Sequence, residues 1–181
     1  MLSHRSGYDR LVTTRHNGEI TPKRGFARPA VFALFVLYLL AMLFVLIIPN
    51  PFRSHNVLVG GLTWEVWLGY VTDGFNLIPF REIAAQMRAL FAGEDTARHA
   101  FYLVGNLVGF LPLGFFLPIL FQRQQRYRIF IATVLLVLIG LELAQVLTMR
   151  GSFDIDDLIL NSAGASLGFW AVNKATSGKQ D

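Results

Sequence analysis

Residues 30–48 read AVFALFVLYLLAMLFVLII, a run with no charged side chain that is closed by Pro49-Asn50-Pro51. As a helix this run rises about 28 Å at about 1.5 Å per residue, close to a hydrocarbon core of about 30 Å. We read it as a first transmembrane helix. It is too long for a cleaved signal peptide, it starts late, and no small-x-small cleavage pattern follows it.

Three more stretches have the same character. Phe101–Phe121 is apolar apart from Asn106, with glycines and prolines inside. Ile129–Met149 is apolar apart from Thr133, Glu142, Gln145 and Thr148. Leu158–Val172 is shorter and rich in small residues, with Asn161 near its start. Asp157 at one end, and Asn173 and Lys174 at the other, suit the two interfaces. The expected fold is all-α: a polytopic membrane protein with four transmembrane helices, about 30–48, 101–121, 129–149 and 157–173. Residues 1–29 form a basic, flexible cytoplasmic tail, 30–173 the membrane domain and 174–181 a short second tail.

Composition agrees. Hydrophobic residues make up 54% of the 181 and charged residues 15%, against about 45–50% and about 25% in soluble domains. These values exclude a disordered chain, a basic nucleic-acid-binding domain and most soluble enzymes. With no cysteine there is no disulfide, thiolate zinc site or cysteine nucleophile. The net charge of +4 resides in the first 28 residues, where Arg5, Arg10, Arg15, Lys23, Arg24 and Arg28 outnumber Asp9 and Glu19. A basic segment beside an apolar span reads as cytoplasmic. Without a folded or aromatic module beside these charges, nucleic acid is not an expected partner.

Loop charges set the orientation. With the basic tail inside, four spans place Arg123, Arg126 and Arg128 in a cytoplasmic loop and Lys174 and Lys179 at a cytoplasmic end. Segments 49–100 and 150–157 then lie outside. Val57–Val71 is apolar but broken by Gly60, Gly61, Thr63 and Glu65. A span there would turn the arginine cluster outward, so it is read as an interfacial or re-entrant piece, with Trp64, Trp67 and Tyr70 at headgroup level. In Pro79–Phe91 the residues Ile83, Met87, Leu90 and Phe91 recur at helical spacing opposite Arg81 and Arg88, with Gly93 as a stop. This predicts an amphipathic helix on the outer face.

The polar residues within the spans concentrate on one side. Glu142 lies about 10 Å from the outer end of its span at about 1.5 Å per residue, and Gln145 one turn nearer the surface. Asn106 lies near the outer end of the second span, and Asn161 one turn inside the fourth, below Asp157. A charge at membrane depth costs about 2.5–3.5 kcal/mol even on insertion scales, so Glu142 should face a partner or a cavity. Asp157, Asn161, Gly164 and Gly168 form one helical stripe. Gly105 and Gly109 repeat the spacing that lets helices approach closely.

Each feature has a structural and a functional reading. Asn106 and Asn161 serve as interhelical glue, Asp154 or Asp156 as an N-cap, and Arg150 as their ion-pair partner. Alternatively, Glu142 acts as a general acid or base, and Asp154, Asp156 and Asp157 hold a divalent cation such as Mg²⁺ or Ca²⁺. Arg81 and Arg150 then engage a phosphate or carboxylate. His4, His16, His55 and His99 lack ligand-like spacing and are read as surface residues.

Taken together, these residues resemble the VanZ-like family of bacterial membrane proteins. The matching stretches are Asn76-Leu77-Ile78-Pro79-Phe80-Arg81, Gly105-Asn106-Leu107, Leu111-Pro112-Leu113-Gly114-Phe115 and Glu142-Leu143-Ala144-Gln145. The last is Arg150-Gly151-Ser152-Phe153-Asp154-Ile155-Asp156-Asp157, running into Asn161-Ser162-Ala163-Gly164. The resemblance covers about residues 30–172. The family commonly has Asn-Thr where Asn161-Ser162 stands, and the basic tail lies outside its pattern. The resemblance implies a cell-envelope protein of the bacterial cytoplasmic membrane, and its namesake is linked to low-level resistance to the glycopeptide teicoplanin.

The favoured reading is a protein that binds an outer-leaflet lipid or lipid-linked envelope precursor through Asn76, Arg81, Asn106, Gln145, Arg150 and Asn161. The rival readings are an intramembrane enzyme that cleaves or transfers a phosphate-linked head group, and a scaffold subunit. For the topology, reporter fusions after Lys174 and within 122–128 should read as cytoplasmic, and fusions near Gly93 and Ser152 as external. A cytoplasmic Gly93 would overturn the orientation.

Overall fold

A computed structural model describes residues 12–16, 19–22, 27–47, 63–149 and 151–177. Six α-helices dominate them: α1 (Ala27–Ile47), α2 (Trp64–Asp73), α3 (Arg81–Ala92), α4 (Thr96–Leu120), α5 (Tyr127–Leu147) and α6 (Ile155–Ser177). The helical expectation holds, with two small β ladders added. Strands β1 (Val12–His16) and β2 (Glu19–Pro22) pair antiparallel within the tail, and β3 (Phe75–Asn76) pairs in parallel with β4 (Phe153–Asp154).

Three helices, α1, α4 and α5, are long and apolar enough to cross a membrane. The fourth expected span falls in α6, whose 23 residues include Asp156, Asp157, Asn161, Ser162 and Ser166. Its polarity follows from its position. α6 makes its most extensive contact with α4, and Asp156, Asp157, Asn161 and Ser166 are all buried. A helix whose polar groups are covered by protein need not match the apolarity of one that faces lipid.

The α4–α6 contact is backbone against backbone. A Cβ at Gly114 would lie 1.8 Å from the Ala165 carbonyl oxygen, at Gly164 1.9 Å from that of Leu107, and at Gly168 2.1 Å from that of Leu111. Only glycine fits at these positions. Gly105 and Gly109, expected to serve in the same way, do not. A Cβ at Gly109 would meet nothing within 4 Å, and one at Gly105 only the Phe101 ring of its own helix at 3.9 Å. Gly109 instead offers its carbonyl to the Tyr38 hydroxyl at 2.9 Å, which ties α1 to α4.

The apolar core fills the other faces of this pair. Phe130, Val134 and Leu138 recur every fourth residue of α5 and are fully buried beside Ala165, Phe169 and Val172 of α6. Phe130 stacks on Phe169 at 4.7 Å, and Tyr127 stacks on Trp170 at 5.8 Å. α1 attaches through one edge only, where Phe35 meets Phe116 at 5.7 Å, while Leu37 and Phe44 on its other faces stay exposed. A turn of 3-10 helix, Gln122–Gln125, links α4 to α5.

Of the segment read as interfacial or re-entrant, residues 57–62 lie outside the described set, and the rest forms most of α2. Thr63 caps it by accepting from the Val66 amide at 3.3 Å. Its ten residues rise about 15 Å, half a hydrocarbon core. Trp67 donates to the Leu147 carbonyl at 3.1 Å and Tyr70 to that of Gly151 at 3.0 Å, so α2 rests against the C-terminal end of α5. α3 ends as the sequence anticipates: Gly93 takes φ +76° and its amide reaches the carbonyls of Ala89 and Leu90. Of its expected apolar face, Ile83 and Leu90 are half-buried, while Met87 and Phe91 are exposed.

Gly164→Ala should force α4 and α6 apart and destabilise the protein by about 1–3 kcal/mol or more, the usual range for overpacking. Gly109→Ala should be neutral or slightly stabilising, because alanine favours the helix by up to about 1 kcal/mol. Thermal unfolding in detergent checks both, and equal midpoints for the two variants would refute the assignment of the close contact.

Candidate functional site

The site forms where two chain segments meet in parallel. Phe75 pairs with Phe153 and Asn76 with Asp154. The phenyl rings stack at 5.4 Å, and the Phe153 amide donates to the Gly74 carbonyl at 2.7 Å. This short ladder delivers the chain into α6, where three acidic side chains, Asp154, Asp156 and Asp157, lie within four residues.

Asp154 precedes the first residue of α6, and its Oδ1 accepts from the Asp156 amide at 2.9 Å. That is an N-cap, satisfying one of the amides a helix start leaves without an intrahelical acceptor. The same oxygen accepts from Asn76 Nδ2 at 3.2 Å. Burial pushes the Asp154 carboxyl above the usual carboxylate range. The donors from Asp156 and Asn76 act in the opposite direction, and the charges of Asp157 and Asp156 add to the rise.

Asp156 is fully buried and caps a different helix. Its Oδ1 accepts from the Phe80 amide at 2.5 Å, and its Oδ2 from those of Glu82 at 2.7 Å and Ile83 at 3.0 Å. Phe80, at the N-cap position of α3, sits at φ +64° and makes no side-chain cap. A carboxylate from α6 therefore supplies what the local sequence lacks. The negative charge also complements the positive end of the helix dipole.

Asp157 turns toward α4. Its Oδ1 accepts from the Tyr102 hydroxyl at 2.6 Å and from Asn106 Nδ2 at 2.8 Å. Glu142 of α5 is 4% exposed, and its Oε2 accepts from the Asp154 amide at 3.2 Å. The hydrogen bonds thus link Asn76, Glu142, Asp154 and Asp156 in one set, and Asp157 with Tyr102 and Asn106 in a second beside it.

Other expected residues stand at the margin of this network. Asn161 is buried at 5% exposure, one turn below Asp157 on α6, and Gln145 is half-buried, one turn beyond Glu142 on α5. Asn161 Oδ1, Gln145 Oε1 and Asn76 Oδ1 are buried without a hydrogen-bond partner. Arg81 is exposed at the first residue of α3. Arg150 lies outside the described residues.

The set does not fit a shared divalent cation. Asp154 faces Asn76, Asp156 faces the first turn of α3 and Asp157 faces α4, so the three expected ligands point to different protein donors. Among the described residues, no group of three or more His, Asp or Glu could hold a metal ion. Helix periodicity from Asp157 could not show this, because Asp154 lies before the helix begins and Asp156 is spent on another element.

Sequence reasoning also missed two participants. Tyr102 lies one turn before Asn106 on the same face of α4, a spacing that could have pointed to it. The Phe80 backbone carries no such signal. His99, read as a surface residue, is half-buried and hydrogen-bonded through Nδ1 to Gln86 Oε1, whose Nε2 donates to Glu82 at 2.5 Å.

A protein-family model described as VanZ/LLP1 matches residues 35–175. No curated protein and no solved structure matches the chain.

Asp156→Asn keeps an oxygen for part of the α3 cap but turns an amide N–H toward backbone N–H groups. The variant should lose about 2 kcal/mol or more, given about 1.5–3 kcal/mol for a hydrogen bond to a charged group. Hydrogen exchange at the Glu82 and Ile83 amides should accelerate before exchange in α5. Unchanged protection at those two amides would refute the cap.

Proposed function

Because the chain belongs to the VanZ/LLP1 family, we propose that it is a multi-pass protein of the bacterial cytoplasmic membrane that binds the head group of an outer-leaflet lipid or lipid-linked envelope precursor. In this reading α1, α4, α5 and α6 all span. The arginines at 123, 126 and 128 and both termini face the cytoplasm, and the cluster around Glu142 opens outward. α3 lies on the outer face.

The observation that carries the reading is the incomplete pairing of the cluster. A polar network that only locks helices together closes its own hydrogen bonds, since an unpaired buried group is costly. Here Asn76 Oδ1, Gln145 Oε1 and Asn161 Oδ1 have none; Asn76 also donates to Asp154, and Gln145 and Asn161 lie one helical turn from Glu142 and Asp157. Arg81, exposed at the start of α3, would engage a head-group phosphate, with Arg150 as a second candidate. Asn106 and Asn76 orient the carboxylates. Occupation by a lipid-linked precursor would alter how teicoplanin-type glycopeptides reach their target, the property that the family resemblance implies.

Native mass spectrometry of the purified protein should find one lipid retained per chain. Glu142→Gln preserves an oxygen for the Asp154 amide, so stability should change by less than about 1.5 kcal/mol, the scale of one neutral hydrogen bond. Lipid occupancy should fall at least tenfold. A wild-type protein that retains no lipid would overturn the reading, and equal loading of Glu142→Gln would remove Glu142 from the site.

A further inference from the structure

Among the described residues, several of the donors in the cluster are already committed to its carboxylates. The Asn76 amide nitrogen is committed to Asp154, and the Asn106 amide and Tyr102 hydroxyl to Asp157. The amides of Phe80, Glu82 and Ile83 are committed to Asp156, and that of Asp154 to Glu142. The oxygens without partners, Asn76 Oδ1, Gln145 Oε1 and Asn161 Oδ1, can only accept. Asn161 is more than nine-tenths buried and lies one turn from Asp157 on α6, so its oxygen is shielded from bulk solvent. The other oxygen of this kind among the described residues, Gln124 Oε1, belongs elsewhere, because its Nε2 donates to Thr133 at the opposite end of α5.

We propose that this site selects lipid head groups by their N–H or O–H donors, accepting a primary ammonium or a glycerol hydroxyl and rejecting choline. The inference rests on the lipid-binding reading above and deepens it. Choline carries the same positive charge as ethanolamine but offers no donor, so it leaves all three oxygens unpaired. A site built to hydrogen-bond a ligand discriminates strongly against an analogue that lacks the group, because its own polar atoms are then stranded. Charge attraction alone would not separate the two head groups.

The test uses the full chain in detergent, stripped of lipid and reloaded with dioleoyl lipids of identical tails. Phosphatidylethanolamine, its N-monomethyl and N,N-dimethyl derivatives and phosphatidylcholine keep the same charge while the N–H donors are removed one at a time. Occupancy by native mass spectrometry should fall along this series, at least tenfold from first to last. Phosphatidylglycerol bound above phosphatidylcholine would show that hydroxyl donors also serve, whereas phosphatidylglycerol level with phosphatidylcholine would confine the selection to the ammonium. Either result, with the falling series, supports the proposal. Asn161→Leu should flatten the series, and Gln145→Met provides the same test from α5 if the first variant does not fold. A flat series in the wild-type protein, with every lipid bound, overturns this proposal and leaves lipid binding standing. Binding of none overturns the lipid-binding reading itself.

Discussion

The Asp156 carboxylate holds the start of α3 in register with the start of α6. Three backbone amides from the start of α3 donate to its two oxygens, and the N-cap residue Phe80 supplies no acceptor of its own. Hydrogen bonds to a buried charge are among the stronger polar interactions in proteins, and an anion at a helix N-terminus also meets the positive end of the dipole. The contact compensates for the left-handed conformation of Phe80, a bulky residue that avoids positive φ unless its surroundings impose it. With α3 fixed, Arg81 is fixed at its first residue, and the β3–β4 pairing brings Asn76 to Asp154. The geometry of the polar cluster therefore depends on one acidic side chain that is itself wholly enclosed.

The helices were legible because lipid and protein cores impose long apolar runs, which survive in the sequence of α1, α4 and α5. The stop at Gly93 was legible for a local reason, since a left-handed residue after a helix favours glycine. Glu142, Asn106 and Asp157 stood out because polar atoms at membrane depth require partners. The partners themselves were hidden. Asp154 caps its own helix, but Asp156 caps one that begins over 70 residues earlier, and no spacing rule spans that distance. The glycines show the same limit. Gly105-x-x-x-Gly109 and Gly164-x-x-x-Gly168 are equivalent as patterns, yet only the second meets a neighbouring backbone. Which face of a helix turns inward is decided by the whole bundle.

The close contact of α4 and α6 and the polarity of α6 are linked. Where glycine brings two backbones together, little room is left for side chains between them, and the short polar residues of α6 find partners on α4 at once, as Asp157 does with Tyr102 and Asn106. The apolar work of the bundle shifts to α5 and to the C-terminal half of α6, where Phe130 and Phe169 stack. Polar specificity and apolar cohesion thus occupy different ends of one helix.

The distance along the chain that Asp156 bridges also sets a schedule. During synthesis the amides of residues 80, 82 and 83 emerge 73 to 76 residues before the carboxylate that holds them. Two long apolar helices, α4 and α5, must be made and placed in that interval. Closing so long a loop is unfavourable until the helices between its ends have packed. The Asp156 cap is therefore a late contact, and a chain released before residue 156 would carry α3 without the carboxylate that holds its start. The order of synthesis and the order of packing are thus joined, with α6 completing a cap on a helix made long before it.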